Sequence, residues 1–282
     1  MKNIDLNFLI GKDISFVLKK ANELTAESLE GKIHAHKIYS VLLDQIPNNY
    51  ESSNEYILRG VLRQKIWDCE RFFFWNEKYL SQAGQDKIIK DHFFNGKKDG
   101  FFVEIGAYDG LRGSNCFHFE KFLNWKGIAI EASPIQFEAL KTNRKCEVVN
   151  EAISSSVKDV EFVEVTEGLT QMSGINNDVF KKNNESLISK DTRSKTKNTI
   201  IRTTTFDKII PEGTKIDYLS IDIEGEELDL LKSINFDNYK INVISVENNI
   251  PKDQNFKFFF NDKDFEYFDR IGQDEIFFNR KF

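Results

Sequence analysis

Apolar residues recur along this chain with two different periods. In the first eighty residues the spacing is helical: Ile14, Val17, Leu18 and Ala21, then Ile38, Val41, Leu42 and Ile46 ahead of Pro47, then Ile57, Val61, Leu62 and Ile66. Steps of three and four put each set on one face, which predicts three or four helices. The aromatic-rich stretch from Trp67 to Trp75 is expected to dock them onto the main domain. From about Ser81 the apolar positions become short continuous runs. Phe101 to Ile105, Gly127 to Ile130, Val148-Val149, Ile216 to Ile221 and Ile241 to Val246 read as five strands covered on both faces. Asp86 to Phe94, Asn115 to Asn124, Pro134 to Asn143 and Glu226 to Lys232 read as the intervening helices, the third opening on an N-cap serine and a first-turn proline. Phe265 to Ile271 and Glu275 to Phe278, joined by Gly272-Gln273-Asp274, read as a hairpin. The alternation predicts an α/β fold around a mostly parallel, doubly wound sheet with one antiparallel edge. Val160 to Val165 and Thr199 to Thr204 look like two extra strands. The polar, lysine-rich stretch 166–198 between them is either a lid or a mobile insertion.

Composition narrows the class. With 282 residues, 40% hydrophobic and 30% charged, the chain is long enough for one large core plus a small accessory region. A net charge of -6 argues against a nucleic-acid partner, which needs a basic face. No apolar run approaches the roughly 18 residues of a membrane span. Met1-Lys2-Asn3-Ile4-Asp5 lacks the apolar stretch of a secretory leader, so a cytoplasmic location is expected. Cys69, Cys116 and Cys146 have neither zinc spacing nor an even count and read as reduced, buried thiols.

Candidate chemistry sits where strands end. Glu104, Glu131 and Asp222 close three of the predicted strands, and open α/β sheets bind ligands beyond the carboxyl ends of their strands. Gly106 allows a sharp turn after the first strand. Glu131 follows Gly110 by about 20 residues, the distance at which nucleotide-binding folds set the acid that holds ribose hydroxyls. Tyr108 stands where GxGxxG would have its second glycine. That disfavours a pyrophosphate packed on the backbone, and with it a nicotinamide dinucleotide; a nucleoside without phosphate, such as S-adenosylmethionine, fits better. Glu104 would then meet the methionine ammonium, Glu131 the ribose diol and Glu151 the adenine. Asp222 and Glu224 share a face of an extended strand, and the next strand ends in Glu247-Asn248-Asn249. These groups suit a magnesium or manganese ion, a general base for a hydroxyl nucleophile, or plain helix capping. The histidines show no catalytic or metal spacing.

These segments together resemble the FkbM-type methyltransferases, a family of S-adenosylmethionine-dependent O-methyltransferases. The resemblance rests on Ser81-Gln82-Ala83-Gly84-Gln85-Asp86, Gly100 to Gly110, Gly113-Ser114-Asn115, Trp125 to Pro134, Asn143-Arg144, Glu151-Ala152-Ile153, Ser173-Gly174-Ile175, Ile216 to Glu227 and Ile244 to Asn248. It runs from about Ser81 to the C-terminus. It implies a class I, Rossmann-like methyltransferase fold over 81–282: a seven-stranded, mostly parallel sheet with an antiparallel last strand. Residues 1–80 would be a helical accessory region outside it. S-adenosylmethionine would bind at Gln85, Glu104, Gly106, Ala107, Tyr108, Asp109, Glu131, Ala132, Ser133, Glu151, Ala152 and Asp222. Gln85 and Asp86 look like the family's upstream segment, expected near cofactor or substrate. Asp222 and Glu224 match the acidic motif near the transferred methyl and are the catalytic candidates. Ala132 departs from the proline of many members. The placement of Asp222, Glu247 and Asn248 is also similar to the magnesium ligands of catechol O-methyltransferase. The family context implies a saccharide or other small-metabolite acceptor, as in surface-polysaccharide or secondary-metabolite synthesis. Lys181, Lys182, Lys190, Arg193, Lys195 and Lys197 would meet a phosphorylated or nucleotide-linked sugar, or else form a solvated charge run. The alternatives in function and assembly are a catalytically silent scaffold with this fold and a homodimer through the N-terminal helices.

Overall fold

The computed structural model describes residues 14–48, 50, 53–74 and 78–282; the N-terminal leader reading at Met1 to Asp5, and Trp75, lie outside the described residues. Among the described residues three helices come first: α1 (Ile14–Glu27), α2 (Leu29–Gln45) and α3 (Ser53–Phe74). The Ser28 hydroxyl accepts from Gly31 N at 3.1 Å and so caps α2. Val17, Ala21, Ala35, Ile38, Tyr39, Leu42 and Leu62 close a small core between the three. No described helix is long and apolar enough to cross a membrane.

The chain then runs through α4 (Gln85–Ile89), which passes into a π-turn over Lys90–Phe94, β1 (Phe101–Ile105), α5 (Phe117–Leu123), β2 (Lys126–Ile130), α6 (Pro134–Asn143), β3 (Glu147–Val149) and β4 (Ala152–Ile153). Next come β5 (Asp159–Glu167), β6 (Gly174–Ile175), α7 (Asp178–Phe180), α8 (Ser186–Lys190), β7 (Lys195–Thr204) and α9 (Phe206–Ile209). β8 (Lys215–Ile221), α10 (Glu227–Ser233), β9 (Lys240–Glu247), α11 (Phe256–Phe260), β10 (Phe265–Ile271) and β11 (Asp274–Asn279) complete it. Seven strands form one sheet in the order β10-β11-β9-β8-β1-β2-β3. Phe102 and Val103, adjacent in β1, are both fully buried yet lie in different cores. Successive side chains leave opposite faces, so this sheet is covered on both sides.

The hairpin departs from the expected antiparallel edge. β11 runs antiparallel to both neighbours, but it lies between β9 and β10, one place in from the edge. Ile276 and Phe277 suit this place: both are fully buried although they face opposite ways, as in a strand covered on both faces.

Residues 166–198 have structure of their own. β5 and β7 pair antiparallel along most of their length, and β6 and β4 flank them in a four-stranded sheet. Val163, Val165, Phe180 and Ile188 make its small core, with Met172 against it. Elements this short leave no periodicity to read. Three of the six basic residues here are paired: Lys182 with Asp253, Arg193 with Asp191 and Lys195 with Glu167.

Helix α3 binds the other helices to the large sheet. Arg59 holds Asp269 of β10 through two hydrogen bonds, at 3.0 and 3.1 Å, and Arg63 adds two more. Trp67 packs so closely on Gly84 that a Cβ there would lie 2.9 Å from the ring. Glycine at 84 is therefore a packing requirement as well as a left-handed turn.

Candidate functional site

The carboxyl ends of β1, β2 and β8 open into one cleft of about 980 Å³, counting its mouth. Gly106 makes it possible. Its φ is +81°, and a Cβ there would come within 1.6 Å of the Asp222 carbonyl oxygen. The ends of β1 and β8 are thus locked at backbone contact, with Asp222 N donating to Ile105 O at 3.0 Å. Among the described residues, Asn95, Asp99, Tyr108, Asn124 and Glu224 are the non-glycines with positive φ. Asn and Asp tolerate that conformation; Tyr and Glu rarely adopt it. Both exceptions line the cleft, where strained backbone tends to gather.

Glu131 follows β2 directly and is aimed by backbone. Its Oε2 accepts from Tyr108 N and its Oε1 from Ser133 N, both at 2.8 Å. Each oxygen keeps a lone pair for a hydroxyl donor. Burial pushes its carboxyl up to about 7, and nearby Glu164 adds to the effect. Beside it Ile130, Ala152, Ile153 and Phe162 form an apolar slot with Glu151 exposed at the rim. A carboxylate acceptor next to an apolar slot fits the hydroxyls of a ribose and its base, so the residues here suit S-adenosylmethionine.

Glu104 lines the same cleft but is already committed. Its Oε1 accepts from the Ser114 hydroxyl, Asn115 N and Cys116 N, and its Oε2 from Arg144 Nη1 at 2.7 Å. Arg144 also bridges to Glu120 at 2.5 Å. These bonds tie β1 to the start of α5 and to the end of α6, while Glu104 still lines the cleft.

The opposite wall is acidic. Asp222 does not share an extended-strand face with Glu224, because β8 stops at Ile221. A turn brings them together instead, with Glu224 left-handed at φ +59°. Glu227 Oε1 accepts from Ile223 N and Gly225 N and so holds this turn. Asp222, Glu224 and Glu247 present carboxylate oxygens within 4.8 Å of one another. Two full charges at that distance would repel by about 3 kcal/mol at an effective dielectric near 20. Burial first, and mutual repulsion second, push Asp222 and Glu247 well above the usual carboxylate range. Burial lifts Glu224 to about 7, against a hydrogen bond from Asn184 Nδ2 at 2.7 Å.

Five residues expected at the site lie elsewhere. Asn248 is turned away: its Oδ1 accepts from Ile250 N and its Nδ2 donates to Gln254 O and Glu275. It follows Glu247 directly, and consecutive residues at a strand end face opposite ways. Asp109 caps its own turn through Leu111 N and Arg112 N. The Ser133 hydroxyl caps α6, so only its backbone serves the cleft. Gln85 lines a smaller polar cavity behind the acids, and Asp86 is consumed by Ser81, Leu80 N and Lys87 N. Gly106, Ala107, Tyr108, Glu131, Ala132, Glu151, Ala152, Asp222 and Glu224 all line the main cleft.

Residues not singled out for the site also matter. Asn115 forms part of its wall, and Asp274 is paired in register with Glu247. A wider cavity of about 1350 Å³, counting its mouth, opens beside the cleft. The two share Gln82, Tyr108, Gln171 and Glu224, and Asn183 and Asn184 from the segment after β6 line the wider one. No signal in the sequence joins those asparagines to Glu224, forty residues later.

No curated protein matches the chain. A solved structure, the methyltransferase FkbM from Methylobacillus flagellatus KT, aligns with 85% of this chain at 14% identity and a TM-score of 0.43. The chain spans 57% of that protein's length, and a likeness at that level assigns no residue a role. The methyltransferase FkbM domain itself matches residues 104–272, from the acid of β1 to the hairpin turn. With more than half of its length so matched, the chain belongs to the FkbM methyltransferase domain family.

Proposed function

We propose that the chain transfers a methyl group from S-adenosylmethionine to a hydroxyl of a sugar or other small metabolite. The observation that carries this reading is Glu131, a buried carboxylate held by two backbone N–H groups beside an apolar slot. When bound, the cofactor supplies an electrophilic methyl on a positively charged sulfur. Glu131 accepts the ribose hydroxyls, and Ile130, Ala152, Ile153 and Phe162 enclose the base. Asp222 lines the cleft and Glu224 lines both the cleft and the wider cavity, and one of them takes or orients the proton of the acceptor hydroxyl. Their raised affinity for protons suits that task near neutral pH. Much of the rate would come from holding the two partners in line, an effect worth roughly 7–11 kcal/mol in well-oriented systems.

Isothermal titration with S-adenosylmethionine and S-adenosylhomocysteine tests the reading. Micromolar binding that weakens in Glu131→Ala is the expected result. Binding of neither ligand would favour a silent scaffold with this fold.

A further inference from the structure

Side-chain amides dominate the wall of the wider cavity beside the cleft: Gln82, Gln171, Asn183, Asn184, Asn249 and Gln273. An amide offers donors and an acceptor together, and so does a hydroxyl. The side chains of Gln82, Gln171 and Asn183 make no hydrogen bond to the described residues of the protein. Asn184 gives one N–H to Glu224 at 2.7 Å, and Gln273 gives one to Asn249. That leaves the amide oxygens of Asn184 and Gln273 and the amide nitrogen of Asn249 for a ligand. The wall is held from behind by helix α3. Gln64 Nε2 donates to the Gln82 carbonyl oxygen at 2.8 Å, and Gly272 N, next to Gln273, donates to Gly60 O at 3.2 Å. A Cβ at Gly60 would lie 2.2 Å from the Gly272 carbonyl oxygen, so helix and hairpin turn meet at backbone contact.

The charges in this cavity do not suit an anion. Arg112 and Lys182 are the basic residues that line it among those described, and each already has a carboxylate, Asp109 and Asp253 respectively. Glu224 and Glu247, the acids of the wall, offer a phosphate no positive partner. Of the basic run from Lys181 to Lys197, Lys182 alone lines the cavity. Met172, Leu187 and the Tyr108 ring add apolar surface on which the C–H face of a sugar ring can rest. We propose that the wider cavity is the acceptor site and that it takes an uncharged saccharide, its hydroxyls read by these amides, in preference to a phosphorylated or nucleotide-linked sugar or an aromatic alcohol. This rests on the methyl-transfer reading and adds to it the place and the charge of the acceptor. Glu224 lines both cavities and so stands between the donor's cleft and the saccharide. An apolar acceptor is disfavoured because it would strip water from the amides and return no hydrogen bond.

Saturation-transfer NMR on the full chain tests this, with S-adenosylhomocysteine present to fill the cleft. The neutral probes are the methyl glycosides of glucose, galactose, mannose, fucose and rhamnose, with maltose and lactose. The contrasting probes are glucose-1-phosphate, UDP-glucose and catechol. At least one neutral saccharide should bind at about 10 mM or tighter, and each contrasting probe several-fold more weakly. Asn183→Ala removes a side chain that the fold does not use and should weaken the saccharide roughly two- to tenfold. Its affinity for S-adenosylhomocysteine in calorimetry should not change. Glu138→Gln, a remote surface change, should alter neither. The proposal is overturned if no neutral probe binds up to about 50 mM. It is equally overturned if a contrasting probe binds more tightly than every neutral one, or if Asn183→Ala and Gln171→Ala both leave saccharide binding unchanged. The neutral probes are also measured without S-adenosylhomocysteine. Loss of saccharide binding alone sinks the acceptor site, whereas failure of S-adenosylhomocysteine itself to bind sinks the methyl-transfer reading.

Discussion

Glu104 and Asp222 end neighbouring strands of one sheet, in register to within two residues, and both line the cleft. Their surroundings are opposite. Glu104 receives three hydrogen bonds on one oxygen and the Arg144 guanidinium on the other. Asp222 faces Glu224 and Glu247, and among the described residues no Lys, Arg or His lines the small cavity behind it. A buried charge that is fully paired holds the fold in place and is chemically quiet. A buried group whose charge is opposed by its neighbours is poised to take a proton, a metal or a substrate hydroxyl. The same residue class at the same end of the same sheet thus serves architecture on one strand and, under the proposed methyl transfer, chemistry on the next.

The largest expected effect tests the architectural half. Arg144→Met strands Glu104 and Glu120 and should cost about 3–5 kcal/mol in urea denaturation; a loss below about 1 kcal/mol would erase the contrast. On the other side, Asp222→Asn should leave stability level or slightly raised while lowering methyl transfer by roughly a hundredfold or more. Equal losses of stability in both variants would mean that the two acids are alike.

Glu131→Ala should weaken S-adenosylmethionine by roughly ten- to a hundredfold in calorimetry, the loss of charge-assisted hydrogen bonds. Its pH dependence sharpens the point. With the carboxyl raised to about 7, hydroxyl donors meet the ionised form only at higher pH. Affinity should therefore climb as pH rises through about 7 and then level off. Stability moves the other way. Between the ordinary 4.5 and about 7 the folded chain holds protons that the unfolded chain has released at Glu131 and Glu224. The cofactor-free chain should lose stability as pH rises across that window, by at most about 1.4 kcal/mol per pH unit for each group. The smallest effect is Tyr108→Gly, which relieves a left-handed backbone worth about 1 kcal/mol but removes a wall of the cleft. A melting temperature that falls would show that the Tyr108 contact with Thr170 outweighs the strain.

Much of the frame was legible because apolar runs report burial directly. Phe101 to Ile105 and Pro134 to Asn143 appear with the bounds that their pattern implied. The hairpin's strands were equally plain, but which neighbour β11 would choose was not, since pairing partners leave no trace in local periodicity. Within the site, Glu131 was legible because one strand and one turn fix its place. The Arg144 partner of Glu104, forty residues on, was not legible, nor was the direction of Asn248, because a single residue's step reverses a side chain.

The sequence by itself determined the strands, most of the helices, the glycine turn at 106 and the acids at the strand ends, because each depends on residues within a few positions of one another. Only the tertiary structure decided which acids are neutralised and which converge. Charge pairing in a folded chain acts over a few ångströms of space between residues far apart in sequence, and the spacing of letters does not encode that distance.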